Sequence, residues 1–303
     1  MTRPCKIGVQ LPEVERRVLW PELISMAKAA EAVGFDSIWL GDHLLYDLPD
    51  GTVRGPWEVF TSLAALAAVT ERVQLGSLVA SLGFHEPAML AKMAATVDAV
   101  SGGRLTLGVG AGWNRREYDA FGFHYDHRVD RFEEAFGVVR RLLAGETVTH
   151  TGRYYALDRC LIDPPATRPG GPVLMLGSNS PRMLSIGLPH VHEWNVWWSI
   201  YGNTPEGLAA VIADVRSRTA AVGRGPDELA ATACVFVRVP GGAGRTMGSP
   251  EMNGSPLEGS PEQLAEQLAA FAAVGAAHLQ LVVDPITQGS IEWLGEVLAL
   301  LDA

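Results

Sequence analysis

Asp42 and His43 stand side by side at the end of a short apolar run, Ile38-Trp39-Leu40-Gly41. A carboxylate beside an imidazole, delivered by the C-terminal end of a buried strand, can hold and move a proton. The same pair also suits plainer duty, with Asp42 capping a turn and His43 bonded within a loop. Four other stretches could do chemistry. Ser81-Leu82-Gly83-Phe84-His85 carries a second histidine. The run from Gly108 through Gly110, Ala111 and Gly112 to Trp113 either lets backbone approach a ligand or simply turns tightly. Gly177-Ser178-Asn179-Ser180 offers free N–H groups and hydroxyls ahead of a helix. That suits a phosphate without any lysine, and it equally suits ordinary N-capping by Ser180. Trp194, Asn195, Trp197 and Trp198 lie along one strand. With Trp113, Trp194 is placed in an aromatic-lined cleft able to take a planar ring.

Several chemistries are absent. Trp113 occupies the third glycine position of a dinucleotide fingerprint, which removes the Rossmann reading. No HExxH, paired-cysteine or G-x-S-x-G spacing occurs, so neither a metal site nor a nucleophile elbow is expected. His190-Val191-His192 precedes a strand and would sit at the end opposite the chemistry. Paired carboxylates at strand ends are lacking, which weakens a glycosidase reading. A net charge of −10 argues against broad binding to nucleic acid or anionic membranes. No run of apolar residues is long enough for a membrane span. Cys5, Cys160 and Cys234 are far apart and form no disulfide framework, which fits a reducing cytoplasm. The N-terminus reads as a first strand, not a signal peptide.

The elements that must position these residues alternate. Short apolar strands are expected at Cys5–Leu11, Ile38–Gly41, Val73–Ala80, Arg104–Val109, Val173–Gly177, Glu193–Trp198, Thr232–Val239 and His278–Val283. Helices lie between them. Pro21 opens the first and Gly34 stops it. Others span Trp57–Val69 and Pro87–Val100. Val129, Phe132, Phe136, Val139 and Leu143 trace one face of a long helix. A capping box, Ser260-Pro261-Glu262-Gln263, opens another. Residues 145–172 interrupt the rhythm with a hairpin around Thr151-Gly152-Arg153, and 239–260 form a long aperiodic stretch, expected to be a mobile loop. Eight strands alternating with eight helices favour a single (β/α)8 TIM barrel with insertions over 1–303. In such a barrel Asp42, His43, His85, the glycine run and Gly177 to Asn179 all fall on one end.

The ordered set of motifs resembles the luciferase-like monooxygenase superfamily, in particular its deazaflavin (coenzyme F420)-dependent branch. The set comprises Gly34-Phe35-Asp36-Ser37-Ile38-Trp39 with Asp42-His43, Leu75-Gly76-Ser77, and Leu107 to Trp113. It continues with Ala120-Phe121-Gly122, Arg131-Phe132-Glu133-Glu134, Gly152-Arg153-Tyr154-Tyr155 and Trp194-Asn195. The resemblance implies a tricyclic ring lying across the C-terminal mouth of the barrel. A bulge with a non-prolyl cis peptide in the third strand, by position Ser77-Leu78, would support it, so Ser77, Leu78 and Val79 become cofactor-binding residues. It implies that Ala111, Gly112 and Trp113, with Gly177, Ser178 and Asn179, hold the cofactor and its phosphate. Asp42 and His43 become the catalytic pair, His43 moving the proton. Trp194 is assigned to the cofactor, and His85 and Trp197 to the substrate. Trp113 stands where sugar-phosphate dehydrogenases of that branch carry glutamate, which points to a more apolar small-molecule substrate. A homodimer is the candidate assembly, since members are often dimers.

Two other readings compete with an F420-dependent oxidoreductase. One is a two-component monooxygenase using reduced FMN in the same barrel mouth. The other is a non-catalytic flavin-binding protein, against which the presence of His43 and of all eight strands argues.

Overall fold

The computed structural model describes residues 3–243 and 255–303. Eight parallel strands form the centre: β1 (Lys6–Gln10), β2 (Ser37–Leu40), β3 (Gln74–Ser77), β4 (Leu105–Gly110), β5 (Val173–Gly177), β6 (Glu193–Val196), β7 (Ala230–Arg238) and β8 (His278–Asp284). Each pairs with the next, β8 returns to β1, and β5 pairs with β4, so the sheet closes. The expected (β/α)8 barrel is therefore what the chain forms. Its strands are mostly apolar and buried, β2 and β4 along their whole length, as strands covered on both faces must be.

The main helices are α1 (Trp20–Val33), α2 (Val59–Ala67), α3 (Pro87–Val100), α4 (Arg115–Phe121), α5 (Arg128–Leu143), α6 (Pro181–Gly187), α7 (Trp198–Tyr201), α8 (Pro205–Ala221), α9 (Pro261–Ala273) and α10 (Gln288–Asp302). Pro at the start and left-handed Gly34 at the end bound α1, and the Ser260–Gln263 capping box opens α9. Among the described residues no helix is long and apolar enough to cross a membrane.

Side-chain size decides how the barrel is filled around β2. Trp39 lies inside it between β1 and β3. A Cβ on Gly8 would come within 2.6 Å of the indole nitrogen, and one on Gly76 within 2.2 Å of the ring. Only glycine on both neighbouring strands leaves room for that side chain. The indole N–H donates to Ser37 Oγ at 2.6 Å, and Ser37 in turn meets His278 Nε2 at 2.7 Å.

Three expectations need correction. The third strand stops at Ser77 and resumes at Ala80–Ser81. Between Gly76 and Ala80 it takes four steps where β4 takes three, from Thr106 to Val109. This is the arithmetic of a bulge. The non-prolyl cis peptide is Leu78-Val79, not Ser77-Leu78. Ser77 is still in register with Leu40, and its hydroxyl donates to Gly108 O at 2.8 Å, so the break falls one residue later. The sixth strand ends at Val196, because Trp198–Tyr201 makes one helical turn closed by Gly202 and Asn203. Asn203 is pinned there by bonds to the N–H and C=O of Phe236. The Asp/Pro/Gly-rich loop after β2 holds a small hairpin, Tyr46–Asp47 with Val53–Arg54, and α4 precedes the long helix.

The hairpin within 145–172 pairs Val148–Thr151 with Ala156–Cys160. Glu134 of α5 fastens its turn, accepting the N–H groups of Arg153, Tyr154 and Tyr155 and the ring nitrogen of His150. Of the stretch 239–260, residues 244–254 lie outside the described residues. Beyond them Leu257 exchanges backbone hydrogen bonds with Phe236 and Arg238.

Candidate active site

A cavity of about 550 Å³ opens at the C-terminal ends of the strands. Its size is that of a small-molecule or cofactor site. Its floor is the bulge. Val79 packs between the ends of β4 and β5, where a Cβ on Gly110 would lie 2.9 Å from it and one on Gly177 would lie 2.7 Å away. At Gly108 an added Cβ would meet Ser77 O at 2.2 Å. The glycines at 108, 110 and 177 thus let the bulge approach β4 and β5. They are what gives the floor its shape.

His43 lines this cavity beside Asp42, but the two have different partners. His43 Nδ1 lies 3.1 Å from both carboxylate oxygens of Glu117. A carboxylate only accepts, so Nδ1 carries the hydrogen and Nε2 is left with no protein partner among the described residues. Glu117 is wholly buried and also accepts the N–H of Leu44 at 2.6 Å. Burial opposes a charge on His43. The Glu117 hydrogen bond and the fields of Glu13, Glu117 and Asp42 together outweigh it, and the imidazole pKa ends above its ordinary value. Gly41 brings Glu13 into this group, since a Cβ there would come within 1.7 Å of Glu13 Oε1.

Asp42 faces the other way along β3. Its Oδ2 accepts from Ser81 N at 2.8 Å and from His85 Nε2 at 2.7 Å. His85 packs edge-on against Phe60 and does not line the cavity. Asp42 and His85 together pin the chain as it leaves the bulge.

Leu78, Val79, Ala111, Gly112, Trp113, Gly177, Ser178, Asn179 and Trp197 all line the cavity. Trp113 stands at its mouth, 61% exposed, with its ring 5.7 Å from His43 and 6.1 Å from Tyr46. Three assigned residues are placed elsewhere. Ser77 is buried behind the floor. Trp194 is buried outside the cavity, because strand alternation turns its neighbour Asn195 inward to Thr232 and Gln280. Its indole N–H donates to Ser178 O at 2.7 Å, so it props the loop from behind. His85 is the third.

Glu117 and Tyr118, which no motif singles out, follow the glycine run on α4. Tyr118 donates to Ala111 O at 2.8 Å and meets Ser81 Oγ at 3.0 Å, tying that loop to β3. Among the described residues, Arg128 at the start of α5 is the single guanidinium lining the cavity. It donates to Gly112 O, stacks over Tyr125, and among the described residues pairs with no carboxylate. Arg182 joins α6 to Asp130 and Glu133 of α5, and Arg128 shares the cavity lining with Ser178, Asn179 and Ser180. Arg115, Arg116 and Arg182 are themselves paired with acids on the surface. Spacing could have suggested Glu117, three residues past Asn114 at a helix start.

Chemistry gathered on βα loops at one end of a closed parallel barrel marks an enzyme of the TIM-barrel type. Residues 9–240 match the luciferase-like monooxygenase model, and the chain belongs to that family, whose members are oxidoreductases and monooxygenases. Over 224 residues it is 31% identical to the phthiodiolone/phenolphthiodiolone dimycocerosates ketoreductase of Mycobacterium tuberculosis. That match covers 68% of this chain and 58% of the relative, less than two thirds of its length. Among solved structures, an F420-dependent secondary alcohol dehydrogenase in complex with an F420-acetone adduct superposes with TM-score 0.83 at 19% identity, covering all of both chains. A riboflavin lyase with modified FMN superposes with TM-score 0.81 at 17% identity, over 98% of this chain and 91% of that one. At these identities the two structures share the fold.

Proposed function

We propose that this chain is an F420-dependent oxidoreductase acting on an apolar carbonyl compound or the corresponding secondary alcohol. The observation that carries this is His43, set in the cavity wall with Nδ1 locked by buried Glu117 and Nε2 available. Reducing a carbonyl needs a hydride on carbon and a proton on oxygen. F420, when bound, supplies the hydride. His43 supplies the proton: the neighbouring carboxylates favour its charged form, from which Nε2 can give a proton to an oxygen in the cavity and take it back in the reverse direction.

The lining fits such a cofactor. The Leu78–Val79 floor and the Ala111–Trp113 loop offer an apolar bed for a ring. Ser178, Asn179 and Arg128 form a polar end for phosphate. The solved alcohol dehydrogenase with F420-acetone supports the choice by analogy of fold, and the ketoreductase relative supports the reaction class. The riboflavin lyase with modified FMN supports a second reading, a reduced-FMN-dependent monooxygenase.

Oxygen separates the two. Mixed anaerobically with reduced F420 and a methyl ketone, the protein should oxidise the cofactor in proportion to alcohol formed. Turnover only with reduced FMN, and only with O2 uptake, would replace this reading by the second.

A further inference from the structure

Tyr125 does not line the cavity, yet it holds a side chain that does. It lies in the turn between α4 and α5, and the guanidinium carbon of Arg128 stands 4.1 Å from the centre of its ring. A cation over an aromatic face is attracted by the negative charge of that face, most strongly where the pair is desolvated. The ring is itself fixed. Buried Tyr118 meets it edge-on, with centroids 5.3 Å apart, and the Tyr118 hydroxyl is bonded to Ala111 O and Ser81 Oγ. Tyr125 thus rests on the residue that anchors the glycine loop to the third strand.

The donors of Arg128 show what the stacking achieves. A guanidinium carries five N–H groups. The one on Nε donates to Gly112 O at 3.2 Å, and the face lies on Tyr125. The four on the terminal nitrogens have no carboxylate partner among the described residues, although acids are near in sequence. Asp130 and Glu133 are taken by Arg182, and Asp130 by His127 as well. Asp126 is exposed, and its backbone oxygen accepts from Arg131. Arg115, a second guanidinium 5.0 Å from the same ring, pairs with Asp119 and does not line the cavity. Of the two cations on this ring, the one left without an acid is the one that lines the cavity. A long side chain held in place before an anion arrives loses less freedom when the anion binds.

We infer that Tyr125 is a positioning residue for phosphate binding: its ring face, with Gly112 O, holds Arg128 so that the terminal N–H groups meet a phosphate beside Ser178 and Asn179. This rests on the proposed phosphate end of the cavity at Ser178, Asn179 and Arg128. It applies to F420 and to FMN alike, since both carry phosphate.

The test reads a phosphate increment, the Kd of an unphosphorylated ring divided by that of its phosphorylated form. The pairs are riboflavin with FMN and the dephosphorylated deazaflavin core with F420, each titrated by fluorescence against the purified protein. Wild type should prefer the phosphorylated member of at least one pair. Tyr125→Leu should cut that increment roughly 2- to 30-fold, the span of a cation–π contact from exposed to desolvated, and leave the unphosphorylated ring bound as before. Tyr125→Phe keeps the face, loses only the hydroxyl and should retain the increment. In an Arg128→Ala background Tyr125→Leu should do nothing further. Pentafluorophenylalanine at position 125 keeps the bulk and reverses the charge of the face. It should act like leucine, and it serves the test if Tyr125→Leu misfolds. Equal weakening of both members of a pair would overturn the inference, and so would an increment unchanged by leucine or by the fluorinated ring; either result leaves phosphate at Arg128. An increment absent from wild type, or left intact by Arg128→Ala, would instead refute the phosphate end itself, and the inference with it.

Discussion

His43 Nδ1 sits 3.1 Å from each carboxylate oxygen of Glu117, and Glu117 has no exposed side-chain surface. The pair fixes the imidazole tautomer and, in the proposed role, poises His43 as a proton carrier. It also explains why two adjacent residues act differently. Asp42 spends its acceptor capacity on Ser81 and His85, shaping the bulge, while His43 looks into the cavity.

Replacing Glu117 with Gln keeps an acceptor for the Leu44 N–H and removes the charge. The His43 pKa, read by NMR titration of the imidazole, should then fall below the wild-type value, and the pH dependence of kcat should move down with it. The stability linkage has a definite sign. A raised folded pKa contributes stability that is full below the unfolded value, about 6.5, and is lost as pH rises through the folded value. The deficit of Glu117→Gln against wild type should therefore be larger at pH 6 than at pH 9. An imidazole that titrates as in wild type would remove Glu117 from its assigned part.

His43→Ala separates chemistry from binding. Turnover should drop about 10²- to 10⁴-fold, the usual worth of a general acid. Cofactor affinity should stay within about tenfold, roughly 1.4 kcal/mol. Steady-state rates and a fluorescence titration measure the two independently. Unchanged turnover would end the proposal for His43.

Two glycines should respond oppositely to alanine. At Gly108 the new methyl would meet backbone, Ser77 O at 2.2 Å, which cannot swing aside. The floor must shift, so Gly108→Ala should cost roughly 1–3 kcal/mol or more and weaken cofactor binding. At Gly137, inside α5, nothing lies within 4 Å. There alanine should gain up to about 1 kcal/mol from helix propensity. Urea denaturation of both variants checks the contrast.

His278 provides a stability test remote from the site. Burial, with Lys6 nearby, pushes its pKa down to about 3. The unfolded chain binds the proton more readily. Stability should therefore fall as pH drops from about 6.5 toward 3, by up to about 1.4 kcal/mol per pH unit. In His278→Asn this acid limb should be shallower. Equal limbs in both proteins would mean that His278 does not titrate on unfolding.

The barrel was legible because its strands are buried on both faces and its helices carry their own stop signals. Gly34, the Pro87 start and the Ser260 capping box each act within a few residues. The floor was half legible. A bulge in the third strand was expected, but its cis peptide lies at Leu78-Val79, because long-range bonds from Ser77 to Leu40 and Gly108 set where pairing stops. Trp194 looked like a cleft residue by type, yet strand alternation with Asn195 turned it away. Glu117 had a local cue in its spacing from Asn114, but Arg128 and Glu13 could not be found by motif, since each meets the cavity only after the barrel brings distant loops together.

The central claim is that this mouth holds F420 for hydride transfer, and the most direct measurement is equilibrium binding of the purified protein to F420 and FMN, side by side. The account predicts saturable F420 binding, weakened by Ser or Ala at Arg128, with FMN bound less tightly. Tight FMN binding with no detectable F420 binding would contradict it.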